Sequence, residues 1–322
     1  MRQQHSRGEV GGPHGHIPVL LEETIDLLQP RPGSVFVDAT VNGGGHSSAI
    51  LQRTAPDGRL LALDADPDAV DYAHARFADL GERVRVRHAN FRNLQQVATR
   101  NGFESVDGIL LDLGFSSRQI ESPGRGLSFQ REEALDMRFD RSQGLSAAAL
   151  VSSAPAEEIE RLLRDYGEEP RARRVARAIA VARERHPIET TTQLAEVVER
   201  ALGGRHGRTH PATRTFQALR IAVNDELAAL EAALPQALEL LRGGGRLAVI
   251  AFHSLEDRIV KTFFRRQAGR ETVSAPRLLP LLPSAARAAV RLVTTRPVSP
   301  GQGEISRNPR SRSARLRVVE RI

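Results

Sequence analysis

The chain has no cysteine and no tryptophan, and only 4% of its 322 residues are aromatic. Without cysteine there can be neither a disulfide framework nor a thiolate zinc site. With so few rings, the core has to be built from Leu, Val, Ile and Ala. Lysine is nearly missing as well: Lys261 is the single one, so the basic residues are otherwise arginine. No apolar run approaches the roughly 20 residues that a membrane-spanning helix needs, and no signal-peptide pattern stands near the N-terminus. These absences point to a cytoplasmic protein with no membrane contact and no resident metal. His5, His14 and His16 are scattered through a Gly-rich, polar start, and residues 1–15 read as a disordered tail.

What the chain has in excess is positive charge, and it is unevenly placed. The net charge is +7, and residues 287–322 alone carry nine arginines against Glu304 and Glu320, again +7. A basic run of this kind suits a polyanion such as RNA.

The most informative stretch is Val35 to Ser47, Val-Phe-Val-Asp38-Ala-Thr-Val-Asn42-Gly43-Gly44-Gly45-His46-Ser47. An apolar, β-branched run ends on an acid and a glycine loop follows, then a segment that can be helical. Strand, glycine loop and helix open the nucleotide-type site of an α/β fold. The loop is an incomplete dinucleotide fingerprint, because Ser48 stands where the third glycine belongs. A second strand, 59–64, ends in Asp64, where an acid can hold ribose hydroxyls. Asn90-Phe91 follows a third strand and offers an amide and a ring for an adenine. A fourth, 106–113, is apolar almost throughout, as in a parallel sheet buried on both faces, and carries Asp112 near its end.

Helices alternate with these strands, and Pro67 suits a first helical turn. The rhythm breaks at Gly114. Helical patterns at 146–151, 155–166, 170–185 and 190–202 fill the interval before the next strand at 246–252. The expected architecture is a doubly wound, Rossmann-like α/β sheet in two pieces, 16–116 and 214–322, with an all-helical insertion at 117–213. A helix over about 214–241 should resume the sheet domain. Two late strands, 290–295 and 316–319, suggest an antiparallel hairpin at the sheet edge. An acid-tipped first strand with a weakened phosphate loop favours S-adenosylmethionine over a nicotinamide dinucleotide, with Asp38 placed near a cationic amino-acid moiety.

With these residues in view the chain closely resembles the bacterial small-subunit ribosomal RNA cytosine-N4 methyltransferases. The matching motifs run in order: His16-Ile-Pro-Val-Leu-Leu-Glu-Glu, Asp38 to Ser47, Asp112-Leu-Gly-Phe-Ser-Ser117, Leu127-Ser-Phe with Leu135-Asp-Met-Arg138, His210 to Arg220 with Val223-Asn-Asp-Glu226, Phe252 to Lys261, and Asn308 to Arg317. Two departures are Asn42, where the family commonly has glycine, and the wording of Gln130 to Glu133.

The resemblance implies methyl transfer from S-adenosylmethionine to the exocyclic amine of one cytidine in the decoding region of 16S rRNA. The assembled small subunit would be the substrate, and the enzyme a monomer or a homodimer. It also implies cofactor contacts from Gly44, Gly45, His46, Asp64, Phe91, Asp112 and Gln119, and the insertion becomes an RNA-recognition domain. No Pro-Pro-aromatic motif follows the fourth strand, so Asp112, or carbonyls and hydroxyls of 112–117, are the candidates to accept the amine's hydrogen bonds. Asn224 and His253 are the candidates on the substrate side, while Ser254 reads as a helix N-cap. Arginines at 171, 173, 174 and 177, at 205, 208 and 214, and at 310, 312, 315 and 317 are candidates for RNA phosphates, those of the first helix also fitting a solvated face paired with Glu168, Glu169 and Glu184. A non-catalytic assembly factor on the same scaffold is the alternative.

Overall fold

A computed structural model describes residues 17–205, 210–270 and 288–322. The N-terminal tail with its histidines, the middle of the 203–211 loop and the Pro-rich passage 276–283 lie outside the described residues.

The helices are α1 (Leu21–Leu28), α2 (Gly45–Arg53), α3 (Pro67–Arg76), α4 (Leu94–Arg100), α5 (Ser117–Glu121), α6 (Ala147–Ser153), α7 (Ala156–Asp165), α8 (Ala172–Arg185), α9 (Thr191–Leu202), α10 (Thr213–Asn224), α11 (Glu226–Leu240), α12 (Ser254–Gln267) and α13 (Gln302–Arg307). The strands are β1 (Val35–Asp38), β2 (Arg59–Asp64), β3 (Val84–His88), β4 (Val106–Asp112), β5 (Leu241–Ala251), β6 (Val290–Leu292) and β7 (Arg315–Arg321).

All seven strands form one sheet in the order β3-β2-β1-β4-β5-β7-β6. β1 to β5 are parallel; β7 runs antiparallel to β5, and β6 antiparallel to β7. The two late strands do form an antiparallel pair at the edge, and β7 also docks directly on β5. Strand order reverses between β1 and β4, the switch point where open α/β sheets bind ligands beyond their carboxyl ends.

Alternate residues of each strand feed two cores. Ile109 and Leu111 of β4 join Leu230 and Leu234 of α11 and Phe264 of α12. Leu110 joins Ile25 of α1, Ile50 of α2 and Val70 of α3. A parallel sheet must be covered on both faces, and that explains the continuous apolar text of β4.

The chain divides into two compact units, 1–114 with 229–322, and 115–228. The second return point differs from the expected 213/214. The single long helix expected there is two, because Asp225 takes a left-handed backbone (φ +50°) between α10 and α11. α10 belongs to the helical unit: Phe216 and Leu219 join a core with Ile159 of α7, Val175 of α8 and Leu194 of α9. Arg220 holds Glu226 across the break at 2.7 and 2.9 Å and lies 4.7 Å over the Phe115 ring.

Candidate functional site

The first unit places three buried carboxylates at the carboxyl ends of neighbouring strands: Asp38 on β1, Asp64 on β2 and Asp112 on β4. Each is bound differently. Asp38 accepts the Ser47 hydroxyl at 2.6 Å and the Thr40 amide at 3.2 Å. Burial pushes it up to about 6, against these two bonds. Asp64 accepts the amides of Asn42 and Asp66 at 2.8 and 2.9 Å. Burial, with smaller contributions from Asp66 and Asp38, pushes it up to about 7. Asp112 is held through its backbone, by the Thr40 hydroxyl at 2.6 Å and the Asn42 carboxamide at 3.4 Å. Its Oδ1 is buried without a hydrogen-bond partner. Burial, then the charges of Asp38 and Glu256, raises it well above the usual carboxylate range.

His46 links this carboxylate to the glycine loop. Its Nε2 is 3.0 Å from the Val19 carbonyl, so Nε2–H donates and Nδ1 faces Asp112 Oδ2 at 3.5 Å. The loop itself requires its glycines. Gly44 caps α2 at φ +71°, and a Cβ there would press on the Phe77 ring. A Cβ on Gly45 would run into Pro18. Asn42 takes φ +48°, the left-handed conformation in which Asn replaces glycine with least strain. Ser48 has a job of its own, donating to the Gly44 carbonyl at 2.7 Å and accepting from Arg76 at 3.0 Å.

The structure therefore brings Gly44, Gly45, His46, Asp64 and Asp112 together. Phe91 opens a short turn after β3, half-buried against the core, with Asn90 capping it through a 3.0 Å bond from the Arg92 amide. His253 follows β5 as the N-cap of α12 and accepts the Glu256 amide. This corrects the assignment of the cap to Ser254, which is the first helical residue instead. His253 Nε2 also lies 3.2 Å from the Glu256 carboxylate.

Gln119 and Asn224 belong to the helical unit. Gln119 is buried and closes a capping box, its Oε1 accepting the Ser116 amide at 2.7 Å. Asn224 is more than a surface amide of α10. It accepts the Phe139 amide and donates to the Met137 and Arg220 carbonyls, all within 3.0 Å, so its carboxamide pins the 137–139 loop.

Two tail arginines need correction. Arg317 is buried in a two-bond pair with Asp257 at 2.7 and 3.1 Å, and Arg315 joins the same carboxylate at 3.1 Å. They brace β7 against α12. Arg310 and Arg312 remain exposed. In the helical unit, Arg171 donates to the Leu202 carbonyl and Arg214 lies 3.9 Å from Glu169. Arg173, Arg174 and Arg177 are exposed, with no ion pair among the described residues. Arg208 lies outside the described residues, and Arg205 pairs with Glu199.

Sequence reasoning passed over the strap of residues 17–20. Pro18 packs on Gly45, Val19 orients His46, and the Leu20 amide donates to Glu304 at 2.9 Å. The signal was the motif from His16 to Glu23, which marks the segment without showing what it touches.

The donor and acceptor set suits S-adenosylmethionine. Asp112 Oδ1 and the second lone pairs of Asp64 are acceptors for a polyhydroxylated, cationic ligand, and among the described residues no arginine or lysine pairs with these three carboxylates. The profile of the MraW methylase family matches residues 13–322. A protein of Thermomicrobium roseum named ribosomal RNA small subunit methyltransferase H is 56% identical, over 95% of this chain and 94% of that one. Proteins of the same name are 51% identical in Dehalococcoides mccartyi, over 95% of this chain and 86% of that one, and 49% identical in Syntrophotalea carbinolica, over 95% and 98%. With its switch-point carboxylates and glycine loop on a sheet of this order, and with the family's pattern running through nearly its whole length, the chain belongs to the MraW methylase family and uses S-adenosylmethionine as its methyl donor.

Proposed function

We propose that this protein methylates the exocyclic N4 amine of one cytidine in the decoding region of 16S rRNA, acting in the cytoplasm on the assembled small subunit. The observation that carries the reading is Asp112 at the switch point: a buried carboxylate with one oxygen unpartnered and the other facing His46. S-adenosylmethionine supplies an electrophilic methyl group.

The residues of the chain do the rest. Gly44 and Gly45 let the backbone approach the methionine end, with His46 behind them. Asp64 accepts ribose hydroxyls, Phe91 lies at the adenine, and Gln119 completes the cofactor contacts. A cytosine amine is a weak nucleophile because its lone pair is delocalised into the ring. Asp112 Oδ1 accepts one of its N–H groups and so fixes the direction of the lone pair, an orientation effect. The proton leaves after attack, so no strong base is required beforehand. The base is presented out of its stack. His253, just beyond the carboxyl end of β5, is placed on the substrate side. The helical unit, with Arg173, Arg174 and Arg177 unpaired, supplies phosphate contacts that position the RNA without reading its sequence.

The test is transfer of labelled methyl to small subunits from cells lacking this gene, with the product nucleosides identified by mass spectrometry. N4-methylcytidine at a single site is the expected result. A different methylated nucleoside, or no transfer to subunits or naked rRNA despite cofactor binding, overturns it.

A further inference from the structure

Away from the carboxylate site, the first unit holds a concavity of about 270 Å3 against the β6 edge of the sheet. One wall is α12, which contributes Lys261 and Arg265. They are four residues apart, so they lie on the same face of the helix. Arg270, just past the helix end, and Thr294 and Thr295, just past β6, form the rim; Phe264 and Leu292 form the floor. Arg317 faces the concavity from β7.

Among the described residues, the charged side chains that line this hollow are of one sign. Arg317 is neutralised by Asp257, whose carboxyl burial pushes up but the bonds and charges of Arg317 and Arg315 hold below its usual range. Glu320, the other acid on β7, is taken by Arg291 and Arg246. Lys261, Arg265 and Arg270 are exposed and have no acidic partner among the described residues. The last carbonyls of α12, which would repel an anion, are occupied by the amides of Ala268, Gly269 and Arg270. The Thr294 hydroxyl accepts the Val318 amide at 2.9 Å, and its own O–H is left as a donor. Three unneutralised cations and hydroxyl donors around a shallow floor with no exposed aromatic ring are chemistry for a phosphate group rather than for a base.

We infer that this pocket is a phosphate-binding site and that its occupant is the backbone of the RNA substrate, held apart from the methyl-transfer site. The inference rests on the rRNA reading above. Lys261 stands eight residues from the cap His253, about 12 Å along the helix. A strand gripped here can therefore reach the carboxyl end of β5. The contact adds affinity and register without sequence preference.

The full-length Lys261→Glu/Arg265→Glu variant tests it, with Lys261→Gln/Arg265→Gln as the milder companion. Binding to unmethylated small subunits and to a 16S rRNA transcript is measured from about 50 to 200 mM salt. The charge-reversed variant is expected to lose at least tenfold in affinity at low salt. The slope of log affinity against log salt is expected to flatten by about two. The midpoint of unfolding and its rise with S-adenosylmethionine stay as in the parent for the milder variant. Equal affinity and equal slope in both variants overturn the site. Inorganic phosphate is the second probe. A weak phosphate-dependent stabilisation of the parent is expected, lost in the variants together with rRNA affinity. Stabilisation of the parent but not of the variants, with unchanged rRNA binding, overturns the RNA assignment in favour of a small free anion. Methyl transfer by the parent is read in parallel. Its absence counts against the function, whereas a flattened salt slope still supports the pocket.

Discussion

The two halves of one sheet treat buried acids in opposite ways. At the ends of β1, β2 and β4, Asp38, Asp64 and Asp112 sit close together with no arginine or lysine among their described partners, held by amides and hydroxyls. On the β5–β7–β6 side, Asp257 takes Arg315 and Arg317, and Glu320 takes Arg246 and Arg291. The first set is pushed up by burial, while the second is held down by arginine despite it. An acid that serves the fold is given its cation. Asp64 and Asp112, which the proposed function gives to ligands, have acceptor capacity in reserve.

The sharpest way to break this contrast is to remove the cations of one acid on the paired side. Arg317→Met combined with Arg315→Met strands Asp257 in the interior, and unfolding in urea is expected to show a loss of about 3–5 kcal/mol. Adding Asp257→Asn to that variant should recover most of the loss. Such recovery is what marks the pair as structural.

Asp112→Asn should behave in the opposite manner. It removes a buried charge with no partner at Oδ1, so stability is expected to stay within about 1 kcal/mol of the parent. Affinity for S-adenosylmethionine is expected to fall tenfold or more, by about 1.5–3 kcal/mol for a charged hydrogen bond. Calorimetric titration reads this directly. Normal turnover and affinity in this variant would remove Asp112 from the site.

The smallest effect is on pH. Asp64, at about 7 in the folded chain against an ordinary 3.8, holds a proton that the unfolded chain has released. Its contribution to stability is therefore undiminished below about pH 4 and is lost as pH rises through 7. Asp257, held low, contributes above its ordinary value and loses that contribution as the solution turns more acid. Ligand hydroxyls favour the ionised form of Asp64, so cofactor affinity should rise about tenfold between pH 6 and 8. A flat profile would mean that Asp64 is already ionised or makes no such contact.

Much of the α/β unit could be read in the sequence, because its signals are local. Strand β4 announces two-sided burial by its apolar run, Pro67 starts α3 with Asp66 as its cap, and the acids end their strands. What escaped is long-range or set by a single backbone angle. The left-handed Asp225 that divides the helix has only a weak local signal, the pair Asn224-Asp225, poor helix formers that tolerate positive φ inside an otherwise helical run. Arg315 and Arg317 look like tail charges until Asp257, almost sixty positions earlier in the chain, is seen between them. Asn224 could be singled out as polar, but its three backbone partners could not.

The strap of residues 17–20 has a consequence for how the chain is made. Val19 and Pro18 fix the glycine loop, yet Leu20 is tied to Glu304 and the Ile17 carbonyl to Asn308. Strand β5 likewise waits for residues 315–321 to cover its edge. During synthesis the glycine loop emerges early, but the clamp on its strap arrives only with α13, about 260 positions later. A nascent or truncated chain thus carries every carboxylate of the site and their local amide and hydroxyl partners, but not the ties that hold the strap. The full set of contacts around the glycine loop therefore closes only once α13 has been made.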